Sequence, residues 1–281
     1  MLIFTKITEL HGYLSQIRAK NKTVGFVPTM GALHEGHVSL IRYSKSTCDY
    51  TICSVFVNPT QFNDKSDLDR YPRVPEKDAA LLESAYCDAL FMPPVAEMYP
   101  QNENKASFDF DYLDKILEGE SRPGHFNGVA QIVKRFFEII QPDKAFFGSK
   151  DYQQVMIVKA LVKQMNSSIE IVACPILRDP DGLAMSSRNT LLNKEERKTA
   201  GLIPKVMLQA KQVVESSGIE AAKAFVTKEV AQTQNVKLDY YEICNADTLE
   251  ILHELKPGIK AVALIAVFVG KIRLIDNIAV G

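Results

Sequence analysis

The 281-residue sequence has no basic excess: 33 Lys and Arg stand against 34 Asp and Glu, a formal net charge of -1. Nucleic-acid binders usually carry a cationic stripe or patch, so no nucleic-acid partner is expected and a small-molecule substrate is the better reading. Paired cysteines are lacking too. Cys48, Cys53, Cys87, Cys174 and Cys244 are odd in number and form no C-x-x-C. That excludes a disulfide framework and a cysteine-rich zinc site, and predicts buried thiols in a reducing cytoplasm. The longest apolar run, near Val262–Val269, is too short to span a bilayer, so no membrane partner is expected. Met1-Leu2-Ile3-Phe4-Thr5-Lys6 lacks the basic segment and long apolar stretch of a signal peptide. Internal repeats and low-complexity tracts are also missing. What is there is an ordinary globular balance, 46% hydrophobic and 24% charged. This is enough for a sizeable core in one large domain or two small ones.

Short apolar runs alternate with helical patterns through the first half. Val24–Val27, Tyr50–Val57, Asp88–Met92, Lys144–Phe147 and Ile169–Ile176 read as strands, and their near-continuous apolarity suits a parallel sheet covered on both faces. Helical stripes begin at Val38, cover Gly128–Ile140 and recur at Val155, Val158, Leu161 and Met165. The expected fold is therefore α/β, a doubly wound, Rossmann-like parallel sheet over residues 1–177. After a polar, turn-rich stretch at Arg178–Asn189, two helical segments (Lys194–Ser216 and Ile219–Gln232) precede strand-like runs at Val236–Ile243, Val262–Val269 and Ile272–Ile275. A smaller C-terminal α+β domain over 178–281 is expected.

The strongest chemical signal lies between the first strand and the first helical stripe: Met30-Gly31-Ala32-Leu33-His34-Glu35-Gly36-His37. A helix start at the carboxyl end of a parallel strand offers unpaired N–H groups and a positive dipole to phosphate. His34 and His37, three apart, share one helix face and can stabilise charge as a phosphate ester breaks. A P-loop is excluded because G-x-x-x-x-G-K-[ST] does not occur, a dinucleotide fingerprint because G-x-G-x-x-G does not. His-Glu-Gly-His also lacks the H-E-x-x-H spacing of a zinc site. Asn58-Pro59-Thr60-Gln61-Phe62 leaves two amides after the second strand, suited to a carboxylate or hydroxyl. Gly148-Ser149-Lys150-Asp151-Tyr152-Gln153-Gln154 again runs from strand into helix. There Lys150 can meet phosphates, Asp151 can cap the helix or position a metal-bound nucleotide, and Gln154 sits one helical turn past Lys150. Met185, Ser186, Ser187 and Arg188 lie in a loop whose hydroxyls and guanidinium can close over a triphosphate. Arg122 and His125 precede a helix and can meet an anion.

Together these segments resemble the pantothenate synthetase family. Met30–His37 is similar to that family's version of the HIGH signature, and Met185-Ser186-Ser187-Arg188 to the counterpart of the KMSKS loop. Asn58–Phe62, Arg122-Pro123-Gly124-His125-Phe126, Lys150–Gln154 and Arg273-Leu274-Ile275-Asp276-Asn277 extend the match along most of the chain. Two departures are visible, Ser149 where an acidic residue is common and Thr60 where methionine is common. The resemblance implies an ATP- and Mg²⁺-using ligase that condenses pantoate with β-alanine through pantoyl adenylate. It implies His37, His34 and Lys150 as catalytic residues, with His37 as a proton donor, although phosphate stabilisation is the more physical role. Gln61 and Gln154 would hold pantoate, the backbone around Leu177 would meet adenine, the 178–281 domain would act as a lid over the ATP site, and the protein would be a homodimer. Metal ligands stay unassigned. A nucleotidyltransferase of the same superfamily acting on a phosphorylated acceptor would need a second phosphate pocket, whereas Gln61 and Gln154 suit an uncharged or carboxylate acceptor. The neutral charge balance and the little room left for an anticodon domain argue against an aminoacyl-tRNA synthetase. Lys150, Ser186, Ser187 and Arg188 argue against a non-catalytic nucleotide sensor.

Overall fold

The structure is a computed structural model that describes residues 1–63, 65–100 and 107–281. The chain forms two compact units, Met1–Pro175 and Ile176–Gly281. In the first unit the elements are β1 (Leu2–Phe4), α1 (Ile7–Arg18), β2 (Val24–Thr29), α2 (Glu35–Thr47), β3 (Tyr50–Val55), α3 (Lys65–Arg70), α4 (Pro75–Ser84) and β4 (Ala89–Phe91). There follow α5 (Val95–Met98), α6 (Glu118–Ser121), α7 (His125–Ile140), β5 (Lys144–Gly148), α8 (Tyr152–Gln164) and β6 (Glu170–Cys174). Short 3-10 turns at Pro59–Gln61 and Ser149–Asp151 follow β3 and β5.

The six strands form one parallel sheet in the order β1-β4-β3-β2-β5-β6, so the expected doubly wound α/β fold is what the chain adopts. The side-chain alternation of a strand explains the helices on both faces. Phe26, Ile52, Ala89, Phe91, Ala145 and Phe147 enter one core with α1, α7 and α8. Their neighbours Val27, Cys53, Leu90 and Phe146 enter another with α2 and α4. The strand order reverses at β2, which lies between β3 and β5. Ligands of open parallel sheets bind at such a switch point, beyond the carboxyl ends of the strands.

Several elements lie beyond those read from the sequence. β1 is a three-residue edge strand whose Leu2 and Ile3 are half exposed, too short to show a period. Its partner β4 is distant in sequence, with Leu2 opposite Ala89. The helices α1 and α4 were likewise not among the expected stripes. The strand expected over Tyr50–Val57 ends at Val55, short of the 3-10 turn that Pro59 opens.

In the second unit, α9 (Lys194–Ala200), α10 (Leu202–Ser217) and α11 (Ile219–Ala231) precede β7 (Val236–Asn245), β8 (Ala261–Val269) and β9 (Ile272–Val280). The strands form a three-stranded antiparallel sheet in that order, with β8 central and almost wholly buried. One apolar cluster joins all three helices and the sheet. The single helix expected over Lys194–Ser216 is broken at Gly201. Pro204 is the reason. It has no N–H to give the Ala200 carbonyl, so it is tolerated only in the first turn of a new helix.

Candidate active site

Three strand ends build the candidate site: those of β2, β3 and β5. The turn after β2 runs through left-handed backbone at Gly31 (φ 82°) and Ala32 (φ 50°), the second unusual for a residue with a Cβ. His34 then caps α2. Its Nδ1 accepts the Gly36 N–H (3.1 Å), and His37 Nδ1 accepts the His34 N–H (3.3 Å), a reciprocal capping box made by two imidazoles. A backbone N–H only donates, so each Nδ1 is unprotonated and each neutral ring carries its hydrogen on Nε2. The two rings lie 4.1 Å apart, centroid to centroid. Desolvation, followed by the neighbouring His34, pushes the His37 pKa down to about 3. His37 keeps some open surface, but the protein packed around it makes burial the largest influence. It is a neutral hydrogen-bond donor across the physiological range.

The expectation that this turn offers unpaired amides to phosphate meets a correction. Gly31 N–H donates to Thr29 Oγ1 (3.2 Å), Ala32 N–H to Asp78 Oδ2 (3.0 Å) and Leu33 N–H to Asp78 Oδ1 (2.7 Å). Among the first amides of α2, Gly36 is engaged by the His34 ring and His37 and Val38 by the His34 carbonyl, whereas the Glu35 N–H has no hydrogen-bond partner among the described residues. What the turn holds ready is its imidazoles and the Glu35 N–H.

At the end of β3, Asn58 is nearly fully buried, and its orientation is unambiguous. Its Oδ1 accepts the Thr60 N–H (3.3 Å) and the Tyr99 hydroxyl (2.7 Å). Its Nδ2 donates to the Gly128 carbonyl (3.1 Å) and to Gln61 Oε1 (3.0 Å). That last bond fixes Gln61 in turn: its Nε2 points the other way, 3.0 Å from Met30 Sδ. A thioether is a weak acceptor, so Gln61 presents N–H donors that suit an oxygen of a substrate. Asn58, expected as a second substrate-reading amide, is consumed in setting Gln61. His125 completes this setting. Arg122 Nη1 can only donate, so the contact to His125 Nε2 (3.1 Å) makes that nitrogen an acceptor, and Nδ1–H donates to the Gln61 carbonyl (2.8 Å). Arg122 and His125 thus brace the site through the Gln61 backbone.

At the end of β5, Lys150 lies in the 3-10 turn and pairs with Asp151 (3.3 Å). Lys150 and Asp151 are near enough to act electrostatically on His37. The register that puts Gly25 beside Lys144, carried along the two strands, brings Thr29 level with Gly148. Gly148, Ser149, Lys150 and Asp151 therefore flank the turn of β2. Asp151 occupies the N-cap position of α8, but its side chain makes no capping bond. The capping role is therefore set aside. Gln153, which carried no expected role, is buried and ties α8 to the Leu113 and Ile116 carbonyls and the Glu118 N–H. Its neighbour Gln154 is half-buried, and its side-chain amide has no hydrogen-bond partner among the described residues.

In the second unit, the loop expected over Arg178–Asn189 makes hydrogen bonds of its own. Arg178 bridges to Ala184, and Met185 N–H donates to the Leu177 carbonyl (3.0 Å). Ser186 caps a 3-10 helix over Ser187–Leu191 through the Arg188 N–H (3.3 Å).

Asp78 and Tyr99 are the functional-site neighbours that sequence reasoning missed. Asp78 stands in the first turn of a helix opened by Pro75, a visible helix start, but nothing local says which loop it meets.

The Pantoate-beta-alanine ligase family model matches residues 2–279. The chain belongs to the pantoate-beta-alanine ligase family. Pantothenate synthetases of Porphyromonas gingivalis and Caldicellulosiruptor bescii are each 45% identical to it. The first aligns over 99% of both chains, the second over 100% of this chain and 99% of its own. Among solved structures, pantothenate synthetase from Thermus thermophilus matches with a TM-score of 0.92 and 38% identity, covering 99% of each chain. Pantoate-beta-alanine ligase from Francisella tularensis, complexed with beta-gamma ATP and beta-alanine, matches with a TM-score of 0.83 and 36% identity. It covers 99% of this chain and 97% of its own. As a member of this family the chain is an enzyme, a ligase joining pantoate to β-alanine.

Proposed function

We propose that the ligase works in two steps at the junction of β2, β3 and β5. First, a pantoate carboxylate oxygen attacks the α-phosphorus of ATP; the bond to the bridging oxygen breaks and diphosphate leaves with its electron pair. Then the β-alanine nitrogen attacks the acyl carbon, the bond to AMP breaks, and the ammonium formed gives up a proton. Gln61 and Gln154 hold pantoate, the first through donors that Asn58 aims and the second through an amide with no internal partner among the described residues. His34, His37 and Lys150 stabilise the phosphate charge that grows in the first step. The neutral, Nε2–H form of His37 suits hydrogen-bond donation better than transfer of a proton.

Met30, Gly31, Ala32, Leu33, Glu35 and Gly36 frame those imidazoles, and Gly148, Ser149 and Asp151 frame Lys150. Leu177, Met185, Ser186, Ser187 and Arg188 meet the nucleotide, as the family resemblance implies. Among the described residues no group of three or more His, Cys, Asp or Glu can hold a metal ion. The described chain therefore builds no cage of its own, which fits Mg²⁺ carried on a triphosphate. Asp151 is the carboxylate that would meet it, and the ion would neutralise phosphate charge. A reducing, cytoplasmic setting suits the five buried free thiols, and a homodimer is what the family resemblance implies.

The observation carrying this reading is the gathering of two neutral imidazoles and Lys150 at one strand-end cluster, beside an amide whose donors are aimed. Its test is pantoate-dependent ATP–diphosphate exchange. His37→Ala is expected to lower the exchange rate at least about 10²-fold, the usual loss for one preorganised donor, with the fold retained and only a small fall in melting temperature from the lost capping bond. Exchange near the wild-type rate would remove His37 from the first step.

A further inference from the structure

Asp78 is buried and lies on α4, outside the motifs named in the sequence analysis. Its two carboxylate oxygens take the N–H groups of Ala32 and Leu33, at 3.0 and 2.7 Å. These amides follow the left-handed Gly31 and include the left-handed Ala32. Consecutive amides in such a turn form an anion-binding concavity of the kind that often cradles phosphate. Here the anion is supplied by the chain itself. A Cβ on Gly31 would stand 2.9 Å from Asp78 Oδ2, so the carboxylate lies against this turn with no room for a side chain between them. The next residue after the held amides is His34, whose backbone and ring begin the capping box with His37.

We propose that Asp78 is a positioning residue for the adenylation step: an internal anion that occupies the turn's amides, holds its strained backbone, and so sets the His34 and His37 rings. By filling the amide concavity it also leaves the imidazoles as the place where the triphosphate is met. Burial raises the Asp78 pKa while the two amide bonds pull it down. The balance marks a carboxylate kept in place against its preference for water. The proposal rests on the reading that His34 and His37 meet ATP.

The experiment uses the full chain with Asp78→Ala, Asp78→Asn and, as a reference, His37→Ala. Asp78→Ala is expected to raise the ATP KM at least about tenfold, the scale of two lost charge-assisted bonds, with the β-alanine KM unchanged. Added formate, which restores a carboxylate to the concavity, is expected to bring the ATP KM back toward the wild-type value. Asp78→Asn keeps one acceptor oxygen, is close to isosteric, and is expected to lie between the two. It decides the matter should Asp78→Ala not fold. If His37→Ala abolishes exchange while both Asp78 variants keep the ATP KM within about twofold, this inference fails and the site reading stands. A raised KM in Asp78→Ala that formate leaves unchanged assigns the loss to disturbed packing of α4, and also overturns the proposal. Near-normal exchange in His37→Ala would defeat the underlying site reading instead.

Discussion

His37 shows how one side chain can be set by geometry and charge together. Its Nδ1 is committed to the His34 N–H, and its surroundings favour the neutral ring. Protonation would cost the capping bond and place a cation beside His34 and Lys150. The folded pKa of about 3 lies below the ordinary 6.5. The stabilisation from a neutral His37 is therefore complete above pH 6.5 and is lost as pH falls from there toward 3. In the free enzyme, an NMR titration should show the His37 ring unprotonated at pH 5, with no inflection near 6.5. A midpoint between 6 and 7 would mean that the ring is a solvated surface histidine and that its role in the first step must be recast. At this scale much of the site was legible. His34, His37, Lys150, Gln61 and Gln154 are chemically suggestive residues at strand ends, and the chain brings the β2, β3 and β5 groups together. What could not be read was the internal bookkeeping of hydrogen bonds. Asn58 and Asp78 are polar residues used up on other protein groups, in part (Asn58) or wholly (Asp78) through contacts made far along the chain.

Between elements, the approach of α7 to the 3-10 turn at Pro59–Gln61 decides where Gln61 sits. Gly128 permits that approach. A Cβ at this position would stand 2.7 Å from the Gln61 Cα, and the Gly128 carbonyl accepts the bond that orients Asn58. Gly128→Ala gains helix propensity of about 1 kcal/mol, but overpacking of this kind costs about 1–3 kcal/mol. The turn must therefore move. The expected result is a pantoate KM raised roughly five- to tenfold, from about 1–1.4 kcal/mol of lost binding, with the ATP KM close to wild type. Equal changes in both would assign the effect to general loosening of α7. The same elements show which parts of the fold a sequence can display. α7 and the central strands carry long apolar patterns and were expected. β1 has three residues and a distant partner, so its pairing has no local signature. The break at Gly201 was visible in principle, since Pro204 forbids an uninterrupted helix, but the apolar stripe running on both sides masks it.

Across the whole molecule, the two units have separate apolar cores, one pair flanking the parallel sheet and one behind the antiparallel sheet. In the second unit an ion pair ties the segment that opens it to the strand that closes it. Arg178 grips Asp276 on β9 with two bonds of 2.7 and 2.9 Å, and also donates to the Gly182 and Asn277 carbonyls. Asp276 is buried, whereas Arg178 remains partly exposed, so the two ends of the pair are unequal. Removing the arginine leaves a desolvated carboxylate with one backbone donor, the Asn277 N–H. Arg178→Ala is therefore expected to destabilise the second unit by about 3 kcal/mol, read as faster amide exchange across β7–β9 with the six-stranded sheet unaffected. Because Arg178 also holds the turn leading to Ser186, Ser187 and Arg188, the ATP KM should rise with it. The sign of the effect rests on the unpaired charge and not on the bond count. Removing both charges in Arg178→Met with Asp276→Leu is thus expected to recover most of the exchange protection, as paired replacement of buried ions often does. A double variant as unstable as Arg178→Ala would show instead that the carbonyl contacts of the guanidinium carry the stability of this unit.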